Sequence, residues 1–172
     1  SKIHEFKSSM RKPYPDYPIK KIIDGNPSYE IGKQKFSSIK QIHKYFEAII
    51  LKTIAAFLNT SGGTLVIGVE EKDRVKKIVG IEREGFESND QYDLHLTQII
   101  QNAFGPVITS QNITTEIINT EGHSVAIVKC DKYNGKPVDL EGRFYIRTGP
   151  KTNELSPVEL MELMHHRQSL NE

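Results

Sequence analysis

The apolar positions of this chain follow two periods. From Lys40 to Asn59, Ile42, Phe46, Ile49, Ile50, Ile54 and Phe57 recur at spacings of three, four and seven, which predicts one stripe of a helix. Lys40, Lys44, Glu47 and Lys52 fall largely off that stripe, and Asn59-Thr60-Ser61-Gly62-Gly63 ends it. Thr64–Val69 is a nearly continuous apolar run of strand length, as expected of a central strand. After the polar turn Glu70–Arg74 the chain returns as a strand over Lys77–Ile81, so the pair reads as a hairpin. Ser88-Asn89-Asp90-Gln91 opens a second helix with a capping box. It turns Tyr92, Leu96, Ile99, Ile100 and Phe104 inward and stops at Gly105-Pro106. Thr114–Ile118 and Ser124–Cys130 flank a turn, and Arg143–Arg147 is a further strand. Ser156-Pro157-Val158-Glu159 starts a last helix, with serine at the N-cap, proline at the first turn and Glu159 reaching back. Leu160, Leu163 and Met164 are expected to face the core.

The first forty residues follow neither period cleanly. Ile3–Met10 alternates well enough to predict a strand, with Glu5 and Lys7 on one face and His4 and Phe6 on the other. That strand begins at the very start, without an initiator methionine, which suggests a trimmed chain. Over 11–39, Pro13, Pro15, Pro18 and Pro27 are expected to break any regular element and leave a long, partly mobile insertion. Hairpins dominate and strict strand–helix–strand alternation is missing. The expected fold is a single α+β domain over 1–172, a mixed and largely antiparallel sheet packed with about three helices.

Composition places this pattern in a soluble globular class, with 172 residues, 37% hydrophobic and 26% charged. No apolar run approaches the length of a membrane span. The single cysteine, Cys130, excludes an intramolecular disulfide and a cysteine zinc site, and it suits the reducing cytoplasm. A net charge of +1 excludes a uniformly basic surface but hides an asymmetry. Residues 1–52 carry 11 Lys and Arg against 5 Asp and Glu, and the rest carry 12 against 17. A basic edge on an acidic body is one form a nucleic-acid binder takes.

Most motif chemistry fails on order. A phosphate loop needs glycines between a strand and a following helix, whereas Gly62-Gly63 follow a helix and precede a strand. The six histidines are scattered without an HExxH, and Ser8 and Ser9 lack a nucleophile elbow. Carboxylates are the better candidates. Glu5 lies in the first strand beside Lys7, and Glu70 and Glu71 lie where the apolar strand ends. If those strands are neighbours, Glu5 and one of the pair could converge and hold Mg²⁺ or Mn²⁺, with Lys7 holding a phosphate. The alternative is that Glu70 and Glu71 are ordinary turn residues.

The runs EFKSSM, KYFEAIILKTIAAFLNTSGGTLVIGVEEKDRVKKIVGIE and KPVDLEGRFYIRTGPKTNEL resemble the Schlafen-type AlbA-like (AlbA_2-type) domain over nearly the whole chain except 11–39. The resemblance implies an α+β fold and a link to nucleic acid. In the Schlafen proteins that cut transfer and ribosomal RNA, three carboxylates form a divalent-metal site. Carried onto this chain, the second is Glu5 and the third is Glu71, where the nuclease branch usually has Asp. The first would fall immediately before Ser1. The implied function is a metal-dependent endoribonuclease acting on structured RNA such as tRNA, with Glu5, Glu70 and Glu71 at the metal and Lys7 at the phosphate. The alternatives are a non-catalytic DNA-binding transcriptional regulator and, behind it, an ATP-binding protein. Schlafen cores hold two such domains around RNA, so a homodimer is the expectation for one. Arg11, Lys12, Lys20, Lys21, Lys33 and Lys35 would meet phosphates, and Tyr14, Tyr17 and Tyr29 would stack on bases. Arg147, at the family's Y-I-R position, would join them or else form an ion pair with Glu154 or another acid.

Overall fold

The computed structural model describes residues 3–15 and 18–170. Its centre is a mixed four-stranded sheet in the order β1-β5-β9-β8. β1 (His4–Lys7) runs parallel to β5 (Gly63–Ile67). β9 (His123–Cys130) and β8 (Ile113–Thr120) continue antiparallel. Two long helices, α1 (Ile39–Asn59) and α2 (Asn89–Asn112), cover one face of this sheet. Ile54, Phe57 and Leu58 of α1 pack there with Tyr92, Leu96 and Ile100 of α2 and with Leu65, Ile67, Ala126 and Val128 of the strands. A second antiparallel sheet, β10 (Asp139–Leu140), β11 (Arg143–Thr148) and β12 (Lys151–Glu154), lies against α1. With neighbours on both sides, α1 buries every residue from Thr53 to Asn59. Cys130 lies in this core, and burial pushes its thiol up to about 12, so it is an inert packing residue. Among the described residues the architecture is α+β with three α-helices, as the pattern predicts.

Four local expectations are corrected. The apolar run Thr64–Val69 is two strands rather than one. Gly68, at φ +107°, swings the chain out of the central sheet, and β6 (Val69–Lys72) pairs instead with β7 (Val75–Ile78). The return strand therefore ends at Ile78, and Val79 and Gly80 donate their N–H groups to the Gly68 carbonyl. The second helix leaves helical geometry at Gly105 as expected, but a further helical segment resumes at Pro106 and runs to Asn112.

The insertion is the third correction, because 11–39 contains a small antiparallel sheet. β2 (Ile19–Ile23), β3 (Asn26–Ile31) and β4 (Gln34–Phe36) pair in chain order. Asp24-Gly25, both at positive φ, make the tight turn between the first two. Pro27 is accommodated within this three-stranded ribbon, opposite Ile22.

The last helix, α3 (Pro157–Leu170), has the predicted capping box. Glu159 N–H donates to Ser156 Oγ at 3.2 Å, and Ser156 N–H donates to Glu159 Oε1 at 2.9 Å. Its attachment differs from expectation. Leu160 and Leu163 are only half-buried and Met164 is exposed, whereas Arg167 is buried. Arg167 donates to the carbonyls of Tyr133, Gly135 and Asn59, so a guanidinium rather than a leucine stripe ties α3 to the end of α1.

Candidate nucleic-acid interface

The parallel register places Glu5 beside Leu65 and Lys7 beside Ile67. Leu65 and Ile67 are buried under the helices, so Glu5 and Lys7 leave the sheet on the α1 side. Because β1 is an edge strand, they stand at the rim of the core rather than inside it. There they meet the β11–β12 hairpin. Arg147 Nη2 donates to Glu5 Oε2 at 2.8 Å, and Lys7 Nζ lies 3.2 Å from Glu5 Oε1. Arg147 also donates through Nη1 to Thr152 Oγ1, and its guanidinium stands 5.4 Å from the centre of the Phe57 ring. Its side chain is 4% exposed and that of Glu5 is 20% exposed.

The helix end beneath this pair explains the dense motif AFLNTSGG. Asn59 donates to the Val138 and Tyr145 carbonyls and accepts from Val138 N–H. Thr60 Oγ1 accepts from the N–H of Arg147 itself. Gly62 and Gly63 serve close approach: a Cβ on Gly63 would lie 2.6 Å from the Phe57 ring, and one on Gly62 would lie 2.5 Å from the Cys130 carbonyl. These residues fix β11 over α1 and so aim Arg147 at Glu5.

The result is an open cleft of about 470 Å³ lined by Glu5, Lys7, Lys52, Tyr145, Arg147 and Lys151, among others. Lys52 Nζ hangs 5.8 Å from the Tyr145 ring centre. The four cations Lys7, Lys52, Arg147 and Lys151 face two carboxylates, Glu5 and Glu154. Glu154 already pairs with Arg143 at 3.4 Å. The cleft therefore presents net positive charge around one carboxylate, a setting that favours an anion.

The other predicted ligands, Glu70 and Glu71, do not line this cleft. Glu71 pairs with Lys76 at 3.6 Å, and Lys76 Nζ stands 5.0 Å from the ring of Phe6. Phe6 alternates with Glu5 along β1 and so faces the opposite side of the sheet. Glu70 is half-buried and stands opposite Lys77 in the hairpin. Among the described residues, no group of three or more His, Cys, Asp or Glu is placed to hold a metal ion.

The basic segment divides. Arg11 is spent on the body, with its guanidinium 3.8 Å from the Phe86 ring centre and its backbone N–H on Glu84. Tyr14 packs back as well, accepting from Lys77 Nζ and lying under Arg83. Lys20 stands 6.0 Å from the Tyr29 ring centre, and Lys21 pairs with Glu30 at 3.2 Å. Lys33 and Lys35 are exposed near the β3–β4 turn. Lys12 is anchored through its N–H to Glu84. Tyr17 lies outside the described residues.

Glu84 is the residue that pattern reading missed. It is 2% exposed, in a single 3₁₀ turn (Glu82–Glu84). Its carboxylate accepts from the N–H groups of Met10, Arg11 and Lys12 and from Tyr92 OH at 2.7 Å. Burial and Glu84 together push the Tyr92 phenol well above its ordinary range. Arg83 next to it donates to the carbonyls of Ser8, Lys12 and Pro13. The turn thus pins the segment that leaves β1. No spacing rule marks an isolated Arg-Glu before a helix as such a clamp.

Comparison with known proteins agrees with this architecture. The chain is 29% identical to the uncharacterized ATP-binding protein UU034 of Ureaplasma parvum serovar 3, over 70% of this chain and 38% of that protein. The crystal structure of the DIP2311 protein from Corynebacterium diphtheriae superposes with a TM-score of 0.57 at 17% identity, over 95% of this chain and 24% of that one. The chain thus spans well under half of either. Residues 28–156 match the Schlafen AlbA_2 family, a stretch that contains α1, the AFLNTSGG motif, the acidic pair and Arg147. The chain belongs to the Schlafen AlbA_2 family.

Proposed function

We propose that this domain binds nucleic acid, RNA before DNA, by seating the sugar–phosphate backbone in the cleft between β1, α1 and the β11–β12 hairpin. The carrying observation is the convergence of Lys7, Lys52, Arg147 and Lys151 on one open cleft, with Glu5 and the already paired Glu154 as the carboxylates opposing them among the described residues. Family membership supports a nucleic-acid role. Glu5 acts here as a positioning residue, holding Lys7 and Arg147 in place for phosphates. Affinity that comes from such contacts falls steeply with salt, because each neutralised phosphate releases counterions. The test is fluorescence anisotropy with a tRNA and with a single-stranded RNA across a salt series. Lys52→Glu with Lys151→Glu is expected to abolish binding of both, and unchanged affinity in that variant would sink the proposal.

A second reading is a divalent-metal-dependent endoribonuclease with Glu5 and Glu71 as ligands, Glu70 assisting and Lys7 on the scissile phosphate. Its support is the place of Glu5 and Lys7 in this cleft. The donor set as paired does not fit a resident Mg²⁺ or Mn²⁺, since both Glu5 oxygens face cations and Glu71 is engaged by Lys76. Incubating tRNA with the protein in Mn²⁺ or EDTA tests this reading. Cleavage that vanishes in EDTA and in Glu5→Ala would favour it over simple binding. A homodimer placing two such clefts around one RNA is part of the proposal, and sedimentation with and without RNA measures it. A cytoplasmic location fits an RNA ligand. No helix among the described residues is long and apolar enough to cross a membrane.

A further inference from the structure

A second cavity, of about 540 Å³, lies where the small β2–β4 sheet meets the start of α1. Its walls include Pro13, Pro18, Tyr29, Ile39 and Ile42, with Arg11, Lys12, His43 and Glu84 as polar groups. Size and lining match a site for a small planar ligand: largely apolar, with a few fixed polar atoms. Three observations distinguish it from a packing gap. Ile39 is 42% exposed at its edge, so the cavity has an apolar mouth. His43 lines it half-buried and makes no hydrogen bond among the described residues. Glu84, the one carboxylate lining it among the described residues, is already saturated by three backbone N–H groups and Tyr92, so it presents little unmet charge.

The cavity is aligned with the phosphate cleft. Ile42 on its wall and Ile49 and Thr53 in the cleft lie on one stripe of α1. From Ile42 to Lys52 is ten residues, about 15 Å along the helix, the reach of a few nucleotides. Lys20, beside Tyr29, adds a cation near the mouth.

We propose that this cavity is a nucleobase pocket, with Tyr29 and the prolines against the faces of a base and His43 on its hydrogen-bonding edge. The proposal rests on the reading of the neighbouring cleft as a backbone track, and it adds to that reading a site that recognises bases. Burial and the Arg11 guanidinium hold His43 below its ordinary range, against the opposing pull of Glu47 and Glu84, with His95 adding to the lowering. At neutral pH the ring is therefore uncharged and offers one donor and one acceptor. The shared chemistry is a nucleotide unit, whether within a strand or free.

The experiment compares a fluorescent hexamer of adenylate with the same backbone carrying no bases, and follows the His43 ring by NMR. The whole chain is expected to bind the intact hexamer roughly tenfold more tightly than the abasic one. Ile39→Asp and His43→Ala are expected to erase that difference while leaving abasic binding unchanged, with circular dichroism verifying the fold. Lys52→Glu should weaken both strands together. Equal affinity for the two strands and no shift of the His43 ring would overturn the pocket while leaving the backbone track standing. If neither strand binds, the backbone reading fails instead, and 5′-AMP decides the pocket. A saturable His43 shift that Ile39→Asp abolishes would support a free nucleotide as the occupant, and no shift would overturn the proposal.

Discussion

Glu84 and Glu5 are both carboxylates that organise the N-terminal segment, yet their surroundings are opposites. Glu84 is sealed in the body and meets its needs with neutral donors, the N–H groups of Met10, Arg11 and Lys12 and the Tyr92 hydroxyl. Glu5 stands at the rim of an open cleft and is met by two cations, Lys7 and Arg147. A carboxylate bound by backbone amides is committed, because releasing it strands several buried donors. A carboxylate bound by cations beside solvent is exchangeable, because a phosphate can offer the same cations equivalent oxygens. The comparison separates the charge that holds the fold from the charge that prepares a surface.

The largest break in that comparison is Glu84→Ala. It leaves three backbone N–H groups and a phenol without their acceptor, at a cost of about 3–5 kcal/mol. A thermal melt is expected to fall by roughly 10 °C. A shift of only a degree or two would mean that water or another acceptor replaces the carboxylate. Glu5→Ala is expected to cost less, about 1–3 kcal/mol, because its partner Arg147 is buried but Glu5 itself is partly wet. Glu5→Gln sharpens the contrast. It keeps an acceptor for Arg147 and removes a negative charge from the cleft, so RNA affinity is expected to rise a few-fold in anisotropy measurements. A loss of affinity would mean that the Glu5 charge, and not only its geometry, positions the cations. Single replacements Lys52→Ala and Lys151→Ala come next. Each is expected to weaken binding uniformly across RNA sequences and to reduce the slope of log K against log salt by about 1.

What was legible in the sequence follows the same division. Elements that close on themselves were readable. The α1 stripe, the Ser88 and Ser156 caps and the break at Gly105 each depend on residues within a few positions. The family-like motifs also contain Glu5, Lys7 and Arg147, although the pairing of Arg147 with Glu5 needs residues 142 positions apart to meet. Long-range polar contacts left no such trace. Nothing in Ile81-Glu82-Arg83-Glu84 announces that its last carboxylate binds the backbone at Met10, or that Arg167 rather than Met164 anchors α3. The β2–β4 sheet was missed for a different reason. Its prolines outweighed the Asp24-Gly25 turn between Ile22-Ile23 and Tyr29-Ile31, a hairpin signal that stood in plain view.

The smallest expected effect concerns His43, beside the Glu84 clamp. Burial and Arg11 hold its pKa below the ordinary value, with His95 adding to the lowering and Glu47 and Glu84 opposing it. The unfolded chain therefore takes up a proton there at a higher pH than the folded one. Where the unfolded state binds more protons, stability rises with pH. The contribution of His43 is thus fully present above the ordinary histidine range and declines as pH falls through it. The decline stops growing once pH lies below the folded value, where both states are protonated. Because the ring is only half-buried, solvent screens much of the penalty, and the change is small. Denaturant melts of the wild type and His43→Gln at pH 7.5 and 5.5 isolate it, since the other titrating groups cancel in the difference. The wild type is expected to lose slightly more stability than the variant on acidification. The opposite sign would place His43 under the control of Glu47 and Glu84, and the clamp region would then favour a cation.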